Sequence, residues 1–196
     1  MQTDLFSFED SLDKIVEEIK NCKKCPLWKT RKNPVPGEGG FAKKIMFVGE
    51  APGKWEDIKG RPFVGAAGKY LDELLASIGL SRGDVYITNI IKCRPPNNRD
   101  PTEEEIKTCS PYLDRQLAIM KPKIICPLGR FSSAYILKKY GFAMKSISSV
   151  QGRVFRGDVV IIPMYHPAAA LYHGQWKPEI EKAFQTLKEV ISEMNL

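Results

Sequence analysis

The clearest chemistry in this chain sits on its cysteines: Cys22, Cys25, Cys93, Cys109 and Cys126. Cys22-Lys-Lys-Cys25 has the spacing at which two thiolates from one turn grip one metal centre. A thioredoxin-like redox pair shares that spacing, but it belongs near the end of a strand in a βαβ unit. Here the pair closes a helical pattern and runs into Pro26-Leu27-Trp28. Cys93 and Cys109 lie in mostly polar sequence, whereas Cys126 is embedded in the apolar run Ile124–Leu128 and reads as a small core hydrophobe. Four ligands plus one core thiol is the natural partition. Tetrahedral zinc and a 4Fe–4S cluster are both held by four thiolates, and spacing alone does not choose between them.

A second set of chemistry-bearing residues follows short apolar runs. Gly49-Glu50-Ala51-Pro52-Gly53-Lys54 is one residue short of a phosphate loop between its glycines. Trp55 also stands where such a loop needs a hydroxyl for magnesium, so nucleotide binding is not expected. What remains is a turn with exposed backbone N–H groups and the acids Glu50, Glu56 and Asp57, which are either functional or solvated loop charges. Phe63 sits among Pro62, Gly65 and Gly68, either as core or as a ring beside a slot for a flat base. Asn89 interrupts an apolar strand; its amide either has a core partner or reads the edge of a pyrimidine. His166, one of two histidines, follows another strand, either as a structural or exposed side chain or as a donor to an oxygen that gains charge. Lys92–Arg99 mixes cations with Asn97, Asn98 and a Pro pair, as a phosphate clamp or a stiff loop.

The elements that must position these residues alternate between helix and strand. Ser7-x-x-Asp10 resembles a capping box ahead of a helix ending near Asn21, and Lys44–Val48 is a strand ending at Gly49. A Gly/Pro-rich loop through Gly65 precedes a helix with Leu71, Leu74, Leu75 and Ile78 on one face. Val85–Ile91 and Ile124–Leu128 are further strands, and Thr102-x-x-Glu105 opens a helix to about Met120. A helix over Phe131–Tyr140 is followed by a hairpin around Arg156-Gly157-Asp158 and a last helix starting at Pro178. Lys29–Phe41 reads as a surface connection. The pattern predicts an α/β fold: a three-layer α/β/α sandwich with a central, mainly parallel four-stranded sheet, whose ligand site lies at the carboxyl ends of the strands. Residues 1–196 are expected to form one domain, with the segment from about 7 to 28 contributing to the cysteine site.

Composition adds limits. A chain of 196 residues with 43% hydrophobic side chains buries a sizeable core, which excludes bulk disorder. No apolar run approaches the length of a bilayer, and Met1–Phe6 has no signal-peptide pattern, so no membrane role is expected and the cytoplasm is. The odd cysteine count argues against a disulfide framework. A net charge of +7 suits a polyanionic partner but equally serves solubility.

Together, the order and spacing of these motifs resemble the family 4 uracil-DNA glycosylases, the thermostable iron–sulfur branch found in archaea and bacteria. The matching residues are Cys22-x2-Cys25, Gly49–Gly53, Glu56-Asp57, Gly60-x-Pro62-Phe63-Val64-Gly65-x-Ala67-Gly68, Thr88-Asn89, Lys92–Pro96, Cys109 and His166-Pro167-Ala168, and the likeness spans about Cys22 to Leu171. The resemblance implies a 4Fe–4S cluster of structural role on Cys22, Cys25, Cys93 and Cys109. It implies hydrolysis of the bond between uracil and deoxyribose in single- or double-stranded DNA by a monomer, as a step of base excision repair. By the same resemblance Gly49, Glu50 and Ala51 line the uracil site with Glu56 beside them, Phe63 stacks on the base, Asn89 reads its amide edge and His166 contacts its O2. Ala51 departs from the best-studied branch, which has a water-orienting Asp there. Glu50 is the first candidate to replace that Asp, followed by Glu56 and Asp57. Leu171 or Tyr172 is a candidate wedge into the base stack. The resemblance also suggests a sliding clamp as partner, with Met1–Phe8 as its segment. Two rival readings are a non-catalytic nucleic-acid-binding module pinned by a metal cluster and a small electron-transfer protein.

Overall fold

The computed structural model describes residues 10–196. Helix α1 (Leu12–Asn21) starts at Ser11, whose hydroxyl accepts from the Lys14 amide at 3.2 Å. The expected cap at Ser7 and the clamp-binding segment Met1–Phe8 lie outside the described residues. Strands β1 (Glu38–Gly39) and β2 (Ile45–Gly49) follow. The stretch predicted as a loop through Gly65 contains a helix instead, α2 (Lys54–Lys59). Acidic Glu56 and Asp57 in its first turn suit the positive helix N-terminus, and Gly60 stops it with φ +67°. The rest of the chain builds α3 (Ala66–Ser77), β3 (Val85–Asn89), α4 (Glu103–Met120), β4 (Ile124–Pro127), α5 (Arg130–Lys139), α6 (Ile147–Val150), β5 (Phe155–Arg156), β6 (Val160–Ile161), α7 (Pro167–Tyr172) and α8 (Lys177–Glu193). Thr102 and Glu105 form the expected capping box, each side chain bonded to the other's backbone N–H.

Among the described residues the strands form one sheet in the order β1-β3-β2-β4-β6-β5. The inner four are parallel, as the pattern predicts, and each edge carries a two-residue antiparallel strand. The β5–β6 edge is the expected hairpin; β1 is too short to leave a periodic signal. Side chains alternate across the sheet. Ile45 and Phe47 of β2 pack with α3 and α8, whereas Met46 and Val48 pack with α1, α4 and α5. This is the three-layer arrangement.

The segment Lys29–Phe41 is more than a surface connection. Val35 is fully buried, and the Pro36 carbonyl accepts from Thr88 Oγ1 at 2.7 Å and Gln116 Nε2 at 2.9 Å. Lys92 lies beside this point, 1% exposed. Its ammonium donates to Thr88 Oγ1 (2.7 Å), the Asn89 carbonyl (2.7 Å) and Gln116 Oε1 (2.8 Å), one acceptor for each proton. This buried polar knot fixes the carboxyl end of β3. Replacing its donor with Lys92→Met leaves three buried acceptors short of a partner, and we expect a loss of about 2–3 kcal/mol of stability. Urea unfolding of the variant against the parent chain measures it.

Candidate active site and cysteine centre

The parallel register places Gly49 of β2 beside Asn89 of β3. There is room for no side chain at Gly49. A Cβ there would lie 2.2 Å from Asn89 Oδ1 and 2.8–2.9 Å from the Phe63 ring edge. Asn89 is 1% exposed and its Oδ1 has no hydrogen-bond partner, while its backbone carbonyl is held by Lys92. Phe63 stacks on His166 with centroids 5.3 Å apart and planes 24° apart. His166 caps α7, its Nδ1 accepting from the Ala168 amide at 3.1 Å. With Nδ1 engaged as an acceptor, a neutral imidazole carries its proton on Nε2. Burial pushes the His166 pKa down to about 4, against an opposing pull from Glu56, so the ring is neutral at physiological pH.

These side chains line one cleft of about 440 Å³, together with Glu50, Ala51, Pro52, Gly53, Glu56, Ala67, Pro95, Asn98–Pro101, Ala168 and Tyr172. Glu50 Oε1 accepts from the Phe131 amide at 3.0 Å, at the start of α5. Burial raises the Glu50 pKa, opposed by that bond and by the Arg130 charge. The carboxylate of Glu56 is committed to backbone: Oε2 accepts from Gly53 N (3.1 Å), and Oε1 from Val64 N and Gly65 N (both 2.9 Å). Asp57 points away from the cleft lining and accepts from Lys32 N at 2.9 Å and Asn33 N at 3.4 Å, tying the β1-side segment to α2. Of the acids considered for the missing Asp, Glu50 and Glu56 reach the cleft and Asp57 does not. Leu171 and Tyr172 stand exposed at 49% and 82%, Tyr172 at the cleft rim.

The end of β4 is the contribution that sequence reasoning passed over. Gly129 has φ +100°, and a Cβ on it would lie 2.4 Å from Glu50 Oε1, so Glu50 reaches α5 only because residue 129 is glycine. A glycine directly after an apolar strand was the available signal. Asp100, which pairs with Arg130 and lines the cleft, had none.

Cys22, Cys25, Cys93 and Cys109 line a single void with Trp28, Arg31 and Tyr112. Cys93 Sγ accepts from Arg31 Nη1 at 3.0 Å, and Cys109 Sγ from the Lys92 amide at 3.3 Å. Among the described residues no three His, Cys, Asp or Glu side chains gather as the shell of a single metal ion. Cys126 is fully buried in the sheet core, apart from this void.

A family model described as the uracil DNA glycosylase superfamily matches residues 36–188. The chain belongs to that superfamily, in its type-4 branch. A protein named type-4 uracil-DNA glycosylase from Saccharolobus solfataricus is 52% identical, covering 93% of this chain and 88% of the relative. Relatives of the same name from Sulfurisphaera tokodaii and Archaeoglobus fulgidus are 54% and 53% identical, each over 92% of this chain, with 85% and 94% of the relative covered. The superfamily model begins after the Cys22–Cys25 pair. The type-4 relatives cover so much of the chain that the pair falls within the likeness. The glycosylase cleft and the cysteine void are joined through the segment from Cys93 to Cys109, which supplies walls to both.

Two outcomes follow for this glycosylase fold. Gly129→Ala drives a methyl into Glu50 and strains a positive φ, and should cost about 1–3 kcal/mol of stability; thermal unfolding checks it. A His166 pKa lowered to about 4 means that the unfolded state binds an extra proton between about pH 6.5 and pH 4. This contribution is therefore intact above about pH 6.5 and lost as pH falls toward 4, by up to about 3 kcal/mol. Denaturant titrations across that range should show the slope in the parent chain and a flatter one in His166→Gln.

Proposed function

We propose that residues 1–196 act as one uracil-DNA glycosylase domain that flips uracil out of single- or double-stranded DNA and hydrolyses its N-glycosidic bond, releasing uracil for base excision repair. The observation that carries this reading is the unpartnered acceptor Asn89 Oδ1, buried beside the Phe63 ring and the neutral His166. An orphaned buried acceptor costs about 1–3 kcal/mol. The N3–H of uracil is a donor of the right kind to satisfy it. A pyrimidine seated against Phe63 presents that edge to Asn89 and an oxygen to His166. The type-4 relatives' name states the same substrate.

The chemistry follows from these charges. Cleavage leaves an oxocarbenium-like sugar and a uracil anion whose charge rests partly on O2. A neutral Nε2–H donor stabilises that oxygen, and a donor aimed where charge develops acts on the transition state more than on the ground state. Glu50, held by the Phe131 amide at the cleft wall, positions the attacking water or offsets the sugar's positive charge. Glu56, with both oxygens on backbone amides, shapes the site rather than attacking. Flipping the base is required because its glycosidic bond is out of reach within a duplex. Leu171 and Tyr172 are the exposed apolar groups placed to fill the vacated stack.

The cysteine centre is read as a 4Fe–4S site on Cys22, Cys25, Cys93 and Cys109. The four thiols lining one void support this reading, since a 4Fe–4S cluster takes four cysteine ligands. N–H groups from Arg31 and Lys92 directed at two sulfurs support the same assignment. Such a group holds the fold and takes no part in bond cleavage.

Incubation with U·G, U·A, unpaired U and T·G strands, followed by cleavage at abasic sites, should show release from the three uracil substrates. Asn89→Ala and His166→Ala should each lower the rate about 10²- to 10³-fold; full activity in both would overturn the pocket. The purified protein should be brown, and Cys93→Ala should bleach it. A colourless parent protein with one zinc per chain would overturn the cluster.

A further inference from the structure

Phe63 sits in the left-handed region, φ +51°, which a residue with a side chain leaves unless its surroundings hold it there. Two charged side chains grip the backbone on either side of it. Arg82, in the loop between α3 and β3 and outside the cleft, donates through Nη2 to the Phe63 carbonyl and through Nη1 to the Pro62 carbonyl at 3.0 Å. Glu56 takes the next two amides, Val64 and Gly65. Carbonyls on a guanidinium and amides on a carboxylate fix the peptide run from 62 to 65 from both ends. The guanidinium is itself aimed by two acids: its Nε donates to Asp72 at 2.6 Å and its Nη1 to Glu38 at 3.0 Å. A planar fork with donors along fixed directions can serve all four acceptors, which a lysine cannot.

We infer that Arg82 is a positioning residue for base recognition, holding the strained Phe63 backbone so that its ring lies flat against the seat of the base. The inference rests on the reading of Phe63 as the stacking ring. Arg82 touches neither substrate nor reacting atoms; it acts through the carbonyls it holds.

The test measures inhibition by free uracil, together with KM and kcat on a single-stranded uracil oligonucleotide. The variants of the full chain are Arg82→Gln, Arg82→Lys, Phe63→Leu and the Phe63→Leu/Arg82→Gln double. Loss of one base-stacking contact should weaken uracil inhibition about tenfold in Phe63→Leu. Arg82→Gln should weaken it in the same direction and raise KM more than it lowers kcat, and Arg82→Lys should fall between Gln and the parent. The double variant should be no weaker than Phe63→Leu alone, because the lost interaction is the same one. A folded Arg82→Gln with parental uracil inhibition, beside a weakened Phe63→Leu, overturns the inference and leaves the stacking reading standing. So does a double variant whose loss is the product of the two single losses. A Phe63→Leu chain inhibited like the parent overturns the stacking reading and, with it, the role of Arg82. Should Arg82→Gln fail to fold by thermal melting, Arg82→Lys decides: weakened inhibition supports the inference, and parental inhibition overturns it.

Discussion

Everything at the cleft depends on the close approach at Gly49. The parallel pairing of β2 with β3 brings Asn89 alongside it, and the Phe63 ring closes over the same point, so that the space of one missing methyl is shared by an amide oxygen and an aromatic edge. That packing keeps Asn89 Oδ1 away from water and from protein donors alike. The Lys92 knot behind it prevents the end of β3 from relaxing to find a partner. The folded chain therefore carries a buried acceptor without a protein partner at the carboxyl end of β3. If Asn89 reads the base as proposed, such a group would also discriminate, since a base presenting an acceptor there would leave two acceptors facing each other.

Electrostatics at the site run in a consistent direction. Burial holds His166 neutral and raises the Glu50 pKa above the ordinary carboxylate value, so desolvation acts against charge on both groups. In the proposed mechanism a protonated imidazole would attract the base anion more strongly, but its own desolvation in this setting drives the pKa to about 4. A neutral donor in a poorly solvated pocket retains most of the hydrogen-bond benefit without that penalty. The +7 charge of the whole chain suits a polyanionic partner or solubility alike, and says nothing about the chemistry.

The legible part of this structure was local. Periodicity located the long helices and four inner strands, and the polar residues at three strand ends marked where a site would form. The division of the cysteines into four and one was also legible, because Cys126 lay in an apolar strand and the others did not. What escaped depends on contacts across the chain. By sequence Glu56 is a candidate for water activation, but its oxygens accept from the amides of Gly53, Val64 and Gly65. Asp57 looked similar and proved to tether Lys32 and Asn33. Helix α2 was hidden by flanking Gly and Pro, β1 by its two-residue length, and Gly129 by having its meaning only in the side chain of Glu50.

The same long-range logic explains why a cleft of this kind would need a cysteine centre. Between Cys93 and Cys109 the chain passes through Asn97 and Asn98, both at φ +55°, and supplies Pro95 and Asn98–Pro101 to the cleft wall. Such a segment has few apolar side chains with which to stabilise its course. Its ties include the Arg94–Asn98 bond and the Asp100–Arg130 pair, both exposed, where such contacts contribute little, and the bidentate pair of Arg99 with the buried Glu105, which also caps α4 with Thr102. A metal centre held by Cys93 and Cys109, as proposed above, would close the segment into a loop, and Cys22 and Cys25 would anchor that loop to α1. Closing a loop in this way lowers the entropy of the unfolded chain rather than adding contacts to the folded one. Such a centre would sit apart from the reacting atoms and still set how well one wall of the cleft is defined.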